Sequence, residues 1–252
     1  MSTPFIRKLE YGAELSDTDR RVLEDAASDV REIGARTDVI GQGERPDNVH
    51  VLIDGWACRY KLLPDGDRQI MAYLIPGDFC DLHVAILGEM DHGIATVSNC
   101  KIAYIPDQIV SELTSRGGTI NRALWWATLV DEATLREWLA NMGRRPADQQ
   151  LAHLFCELLV RLQSVGFADE NSFDFPVNQA ELADTLGISQ VHVNRMLQQL
   201  RGDGLIVLEN RRLTIPDVER LNAFAGFDPG YLHLRERQIG GECSPPNRGR
   251  SH

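Results

Sequence analysis

Residues 179–201, QAELADTLGISQVHVNRMLQQLR, constrain the fold more than any other stretch of the chain. Leu182, Leu186, Ile188, Val193, Met196, Leu197 and Leu200 recur at helical spacing on both sides of Gly187. Two helices that cross steeply need a small residue where they meet, and Ala183 supplies it. They also need a tight turn, and Gly187 can take φ > 0 without steric cost. Asn178 and Ser189 stand where the N-caps of the two helices belong. A plain helical hairpin in a core would need only the apolar spacing. Agreement of the small, turn and apolar positions predicts a helix-turn-helix, whose second helix enters a DNA major groove.

The 252 residues leave room for two modest domains with connectors, and 43% apolar with 25% charged residues is an ordinary globular balance. No run approaches membrane-spanning length, and the start MSTPFIRKLE lacks the apolar core of a signal peptide. The five cysteines (58, 80, 100, 156 and 243) form no CxxC pair and no zinc spacing, so free thiols in a reducing cytoplasm, no membrane contact and no metal site are expected. Net charge is −11, yet a DNA contact needs only local positive potential. Residues 178–216 balance Arg195, Arg201, Arg211 and Arg212 against Glu181, Asp184, Asp203 and Glu209. Binding is therefore expected to rest on a few well-placed arginines.

Residues 16–30 predict a short amphipathic helix entered at Ser16 or Asp17. From about 33 to 106 short β-rich runs end in turns at Gly55, Gly66 and Gly77, which suggests a small sandwich or β-roll. Alternation within Trp56–Leu63 is imperfect, so its faces stay unassigned. Gly117–Gly143 is helical, with Leu124, Thr128, Asp131, Leu135, Trp138 and Met142 at three- and four-residue steps. Ile120, Trp125, Trp126, Leu129 and Val130 widen its apolar surface, so it must pack on the roll, on a second copy, or on both. Pro146 opens a further helix that Gly166 closes, and FADENSF reads as a polar loop. Leu205–Leu208 and Arg212–Ile215 flank Glu209–Asn210–Arg211 as a hairpin wing, while 240–252 shows no periodicity and reads as disordered.

A β-roll, a long helix and a winged helix-turn-helix, in that order, resemble the Crp/Fnr family of bacterial transcription regulators over roughly residues 20–216. The phrases DGWACRYKLL, PGDFCDLH and QVHVNRMLQQLR are similar to a subgroup common in alphaproteobacteria. The resemblance implies an α+β chain divided into a sensor domain (1–116, a β-roll or jelly roll), a dimerisation helix (117–144), a winged helix-turn-helix (145–225) and a tail (226–252). It implies a homodimer that binds double-stranded DNA at a palindromic site and engages RNA polymerase. Half-sites would lie about 34–36 Å apart. Ser189, Gln190, Val191, His192, Asn194, Arg195 and Arg211 are the expected DNA-contacting set. Helical geometry independently turns Val191, Asn194, Arg195 and Gln198 outward when Val193, Met196, Leu197 and Leu200 face inward. Arg195 suits guanine O6/N7, Gln190 or Asn194 suits adenine, and Val191 suits a thymine methyl, with Ser189 and His192 nearer phosphates. Many family members carry a glutamate at the position of Val191, so the familiar half-sites do not transfer.

The sensor departs further from the family. Relatives that bind cyclic nucleotides use a Gly-Glu-Leu turn and an Arg-Ser or Arg-Thr pair; here Asp81, Leu82 and His83, then Gly93 and Ile94, take those places. Without the arginine a buried phosphate lacks its charge-assisted partner, and Asp81 repels it, which disfavours cAMP. An oxygen-sensing iron–sulfur cluster needs closely spaced N-terminal cysteines, and the first cysteine is Cys58. Heme stays open, with His83, His92 and Cys80 as axial candidates; the plainer reading makes the histidines turn or surface residues. Cys58, Cys80 and Cys100 are expected to fill core. No nucleophile–base pair or phosphate loop is present, so an enzyme is not expected. The alternative to a regulator is a ligand-binding or protein-interaction module that keeps this fold without using DNA.

Overall fold

The computed structural model describes residues 2–115 and 117–234. The N-terminus forms α1 (Pro4–Glu10) and α2 (Asp17–Ala26). Pro4 at a first-turn position and the Thr3 cap start α1, while Ser16 and Asp19 close a reciprocal capping box on α2. Helix α2 stops at Ala26, short of the predicted 30, because Val30 opens a strand.

The roll consists of β1 (Val30–Ile33), β2 (Asp38–Ile40), β3 (Asn48–Asp54), β4 (Ala57–Leu62), β5 (Arg68–Leu74), β6 (Gly93–Thr96) and β7 (Cys100–Pro106). They build an antiparallel sheet in the order β1-β7-β3 and another in the order β2-β6-β4-β5. Pairing of β4 with β5 shifts register between Arg59 and Tyr60, which accounts for the broken alternation in this strand. The turn glycines behave as predicted, with Gly55, Gly66 and Gly77 all at positive φ. At Gly77 a Cβ would stand 2.7 Å from the Pro4 carbonyl oxygen, so α1 can seat on this turn only if the residue is glycine. A one-turn helix α3 (Val84–Leu87) sits in the long excursion from β5 to β6.

Helix α4 (Asp107–Ser115) leads to α5 (Gly118–Arg144), the predicted long helix. Its buried residues, among them Ile120, Ala123, Ala127, Val130, Thr134 and Trp138, pack on the roll and on the C-terminal domain. Trp125, Leu129, Leu135, Leu139 and Met142 stay exposed on its other side. The stripe read from the sequence straddles these faces, since Leu124 and Trp138 are buried whereas Leu135 and Met142 are not.

The C-terminal domain follows as α6 (Ala147–Val165), β8 (Ser172–Asp174), α7 (Gln179–Leu186), α8 (Gln190–Gly202), β9 (Val207–Glu209), β10 (Arg212–Thr214) and α9 (Val218–Ala225). The wing has three strands, in the order β8-β10-β9, so the expected polar loop FADENSF contributes a strand. Phe173 carries that strand into the core, where it stacks on Trp56 of the roll. A tail from 226 is also corrected, because Phe227 and Leu232 are buried in this domain. Residues 240–252 and Cys243 lie outside the described residues.

Candidate nucleic-acid interface

Helices α7 and α8 are capped as the sequence predicts. Asn178 accepts from the Glu181 amide at 2.9 Å while Glu181 accepts from the Asn178 amide at 2.7 Å. The αL cap at Gly187 has φ 64°, and Ser189 Oγ accepts from the His192 amide at 3.3 Å. Caps of this kind are worth about 1 kcal/mol each and fix the angle at which α8 leaves the turn. Val193, Met196, Leu197 and Leu200 are buried, which turns Gln190, Val191, Asn194, Arg195 and Gln198 to solvent. Val191 is 82% exposed, far more than its apolar side chain gains by standing in water. Arg195 donates toward the His192 ring, Nη2 lying 3.2 Å from Nδ1, and makes no ion pair among the described residues.

Two of the four acids counted against these arginines are turned away. Glu181 is buried and meets Arg36 at 3.3 Å, and Asp184 accepts from Arg68 Nε at 2.8 Å. Arg212 is held by Asp169 and Asp174. Arg195 and Arg211 therefore remain exposed on a surface more positive than the segment's neutral total suggests. The wing turn is a two-residue connection with Asn210 at φ 50° and Arg211 at φ 60°. Glycine is usual at the second position of such a turn, and a left-handed arginine costs about 1 kcal/mol there.

In the roll, the turn residues expected to meet a ligand are used internally. Asp81 is wholly buried and accepts from the His50 amide and from His50 Nδ1, both at 2.6 Å. It thus ties the turn to β3 from a fully buried position. Gly93 and Ile94 are buried in β6, where a Cβ on Gly93 would lie 2.5 Å from Cζ of Tyr60. The Tyr60 ring fills the space beside β6, and its hydroxyl donates to Asp38 at 2.8 Å.

His83 and His92 are brought together, their ring centroids 5.3 Å apart, and His92 is buried where a turn or surface position was the plainer reading. Burial pushes both imidazoles below their ordinary pKa. Cys80 does not join them. It is fully buried, and desolvation raises its thiol pKa. Cys58 and Cys156 are pushed up to about 12 and Cys100 to about 11 by the same cause, so these core thiols stay protonated.

Sequence reasoning missed the seat of the helix-turn-helix on the roll. Tyr73 of β5 bonds through its hydroxyl to Thr185 Oγ1 at 2.7 Å and donates to the Glu181 carbonyl at 3.3 Å. Gln69 donates to the Thr185 carbonyl at 3.1 Å. A polar strand residue followed by a tyrosine carries no local signal of a partner more than a hundred residues away.

Comparison with known proteins agrees with this architecture. A Crp-like helix-turn-helix domain model matches residues 149–224, and a cyclic nucleotide-binding domain model matches residues 30–116. The transcriptional activatory protein AadR of Rhodopseudomonas palustris is 29% identical over 224 residues, covering 87% of this chain and 90% of that protein. The transcriptional activator protein FnrL of Cereibacter sphaeroides is 28% identical, covering 75% of this chain and 77% of that protein. The structure of FixK2 from Bradyrhizobium japonicum superposes with a TM-score of 0.69 at 21% identity, over 77% of this chain and 96% of that one, which shows the shared fold. With a roll, a long helix and a capped, outward-facing recognition helix matched on both sides of α5, the chain belongs to the Crp/Fnr family of DNA-binding transcription regulators.

Proposed function

We propose that the chain acts as a cytoplasmic homodimer that reads a two-fold symmetric DNA site through α8 and answers a signal other than cAMP. The observation that carries this reading is the pairing of two unspent surfaces: the reading face of α8 and the apolar stripe of α5. Trp125, Leu135, Leu139 and Met142 fall on heptad-related positions, the spacing at which two parallel helices bury each other's knobs. A second copy packed there sets two α8 helices about one DNA turn apart.

Arg195 would pair with guanine, Gln190 and Asn194 would read adenine, and Val191 would meet a thymine methyl. Ser189, His192 and Arg211 would hold phosphates, and the strained Arg211 backbone supports a role that glycine could not fill. Tyr60 beside Gly93 and Asp81 turned to His50 support a sensor that takes no cyclic nucleotide. The relatives are named as transcriptional activators, which favours activation through contact with RNA polymerase and a non-enzymatic role. No described helix is long and apolar enough to cross a membrane.

Selection of bound fragments from a random duplex pool tests the reading. A two-fold symmetric motif is expected, with a base pattern unlike that read by relatives with glutamate at the Val191 position. Enrichment of single, unpaired motifs would overturn the dimeric reading. No enrichment under any redox condition would overturn operator binding by this chain.

A further inference from the structure

The excursion from β5 to β6 carries potential metal ligands on both sides of α3. His83 precedes α3, and Asp91 and His92 follow it immediately before β6. One donor atom from each of the three lies within 4.8 Å of the others. Donors 2.0–2.1 Å from a tetrahedral ion sit roughly 3.3 Å apart, so closing the site takes about an ångström of side-chain movement. His83, the more exposed of the two histidines, supplies that freedom.

Hydrogen bonding has already oriented one ligand. Asp91 Oδ1 lies 2.6 Å from His92 Nδ1, which makes that nitrogen the donor and leaves a lone pair on Nε2. The His92 side chain is only 9% exposed, and its Nε2 has no partner. Nε2 of His83 is likewise buried without a partner and stands 3.9 Å from Asp91 Oδ1. Two buried ring nitrogens without partners leave an unmet cost of about 1–3 kcal/mol each, which an ion bound to them removes.

We propose that His83 and His92, the latter oriented by Asp91, supply two imidazole ligands to one divalent transition-metal ion, zinc or ferrous iron, with solvent completing its coordination, and that this ion is the regulator's effector. The regulatory half rests on the function proposed above. An ion here ties together the residues that flank α3 and fixes α3 between them. Ile86 and Leu87 of α3 are 82% and 71% exposed. They line a groove of about 510 Å³ together with Trp125 and Thr128 of the free α5 face. Fixing α3 therefore shapes the surface on which the second copy sits, and through it the spacing of the two α8 helices.

The test uses untagged full-length protein, stripped of metal and dialysed against zinc chloride or, anaerobically, ferrous sulfate, with bound metal measured by mass spectrometry. One equivalent per chain is expected. His83→Ala and His92→Ala should weaken binding by 100-fold or more and Asp91→Asn by about 10–100-fold, while Cys80→Ser leaves it unchanged. Circular dichroism confirms that each variant is folded. Substoichiometric binding by the wild type, or equal binding by the histidine variants, overturns the site. Operator affinity with and without the ion is then compared: a shift of about fivefold or more, absent in the variants, is expected. An unchanged affinity despite stoichiometric metal overturns the effector role. Stoichiometry is read without DNA, so failure of the DNA-reading proposal would leave the metal result standing.

Discussion

Arg195 and Arg211 are both exposed arginines of one domain, yet their environments assign them different work. Arg195 leaves the outer face of a rigid, capped helix and lies against His192, which restricts where its guanidinium points. Arg195→Ala should cost about 1–3 kcal/mol of operator binding and barely change affinity for random DNA, as read by anisotropy titration against both duplexes. Equal losses on the two would place Arg195 on phosphate. Arg211 sits at φ 60° in the wing turn, where any side chain is strained. Arg211→Gly should therefore raise folding stability by a few tenths to about 1 kcal/mol while lowering the salt slope of DNA binding by about one. A stability loss in urea titration would refute the strain argument.

Helix α5 packs one face within the chain and leaves an apolar face free, the one proposed for a second copy. Leu139 is 73% exposed on the proposed dimer seam, so Leu139→Asp should leave the helical spectrum intact. Two aspartates facing each other across that seam cost several kcal/mol, enough to weaken the dimer about 100-fold. Sedimentation velocity at micromolar concentration would show monomer; an unaltered dimer would move the interface elsewhere. Helix α6 carries a second test. His153 is 1% exposed, and burial, helped by Arg145, holds its pKa down to about 4 against an ordinary 6.5. The unfolded chain therefore binds the extra proton first. Stability is full above pH 6.5 and is lost as pH falls towards 4, by about 2 kcal/mol at pH 5. His153→Gln should flatten that dependence between pH 7 and pH 5 in urea unfolding, and an unaltered slope would assign the loss to other groups.

Across the whole molecule, roll and DNA-binding domain share one continuous core, in which Trp56, Tyr73 and Trp138 join residues of α6, α7 and α8. The seat of α7 on β5 is polar at its centre, through Tyr73, Thr185 and Gln69. Tyr73→Phe removes one buried hydroxyl and should cost about 1 kcal/mol, so amides of α7 would exchange several-fold faster while those of β3 and β7 stay protected. Uniform acceleration would mean global destabilisation and no separable docking step. Net charge is likewise a property of the whole chain that misleads at the site. The −11 total hides a reading face from which Arg36 and Arg68 have drawn two acids away.

The helix-turn-helix and its wing were legible because their determinants are local. Caps, a left-handed glycine and apolar periodicity all act within a few residues, so Asn178, Gly187 and Ser189 specify their own geometry wherever the rest of the chain goes. The turns at Gly55 and Gly77 were readable for the same reason. Folding alone decided which face of α5 stays free, since periodicity counts apolar positions without naming their partners. It also turned Asp81 to His50, laid Tyr60 beside Gly93, seated α7 on Tyr73 and closed His83 onto Asp91 and His92. Each of these joins residues whose separation along the chain carries no periodic signal, and only strand pairing and core packing bring them within a few ångströms.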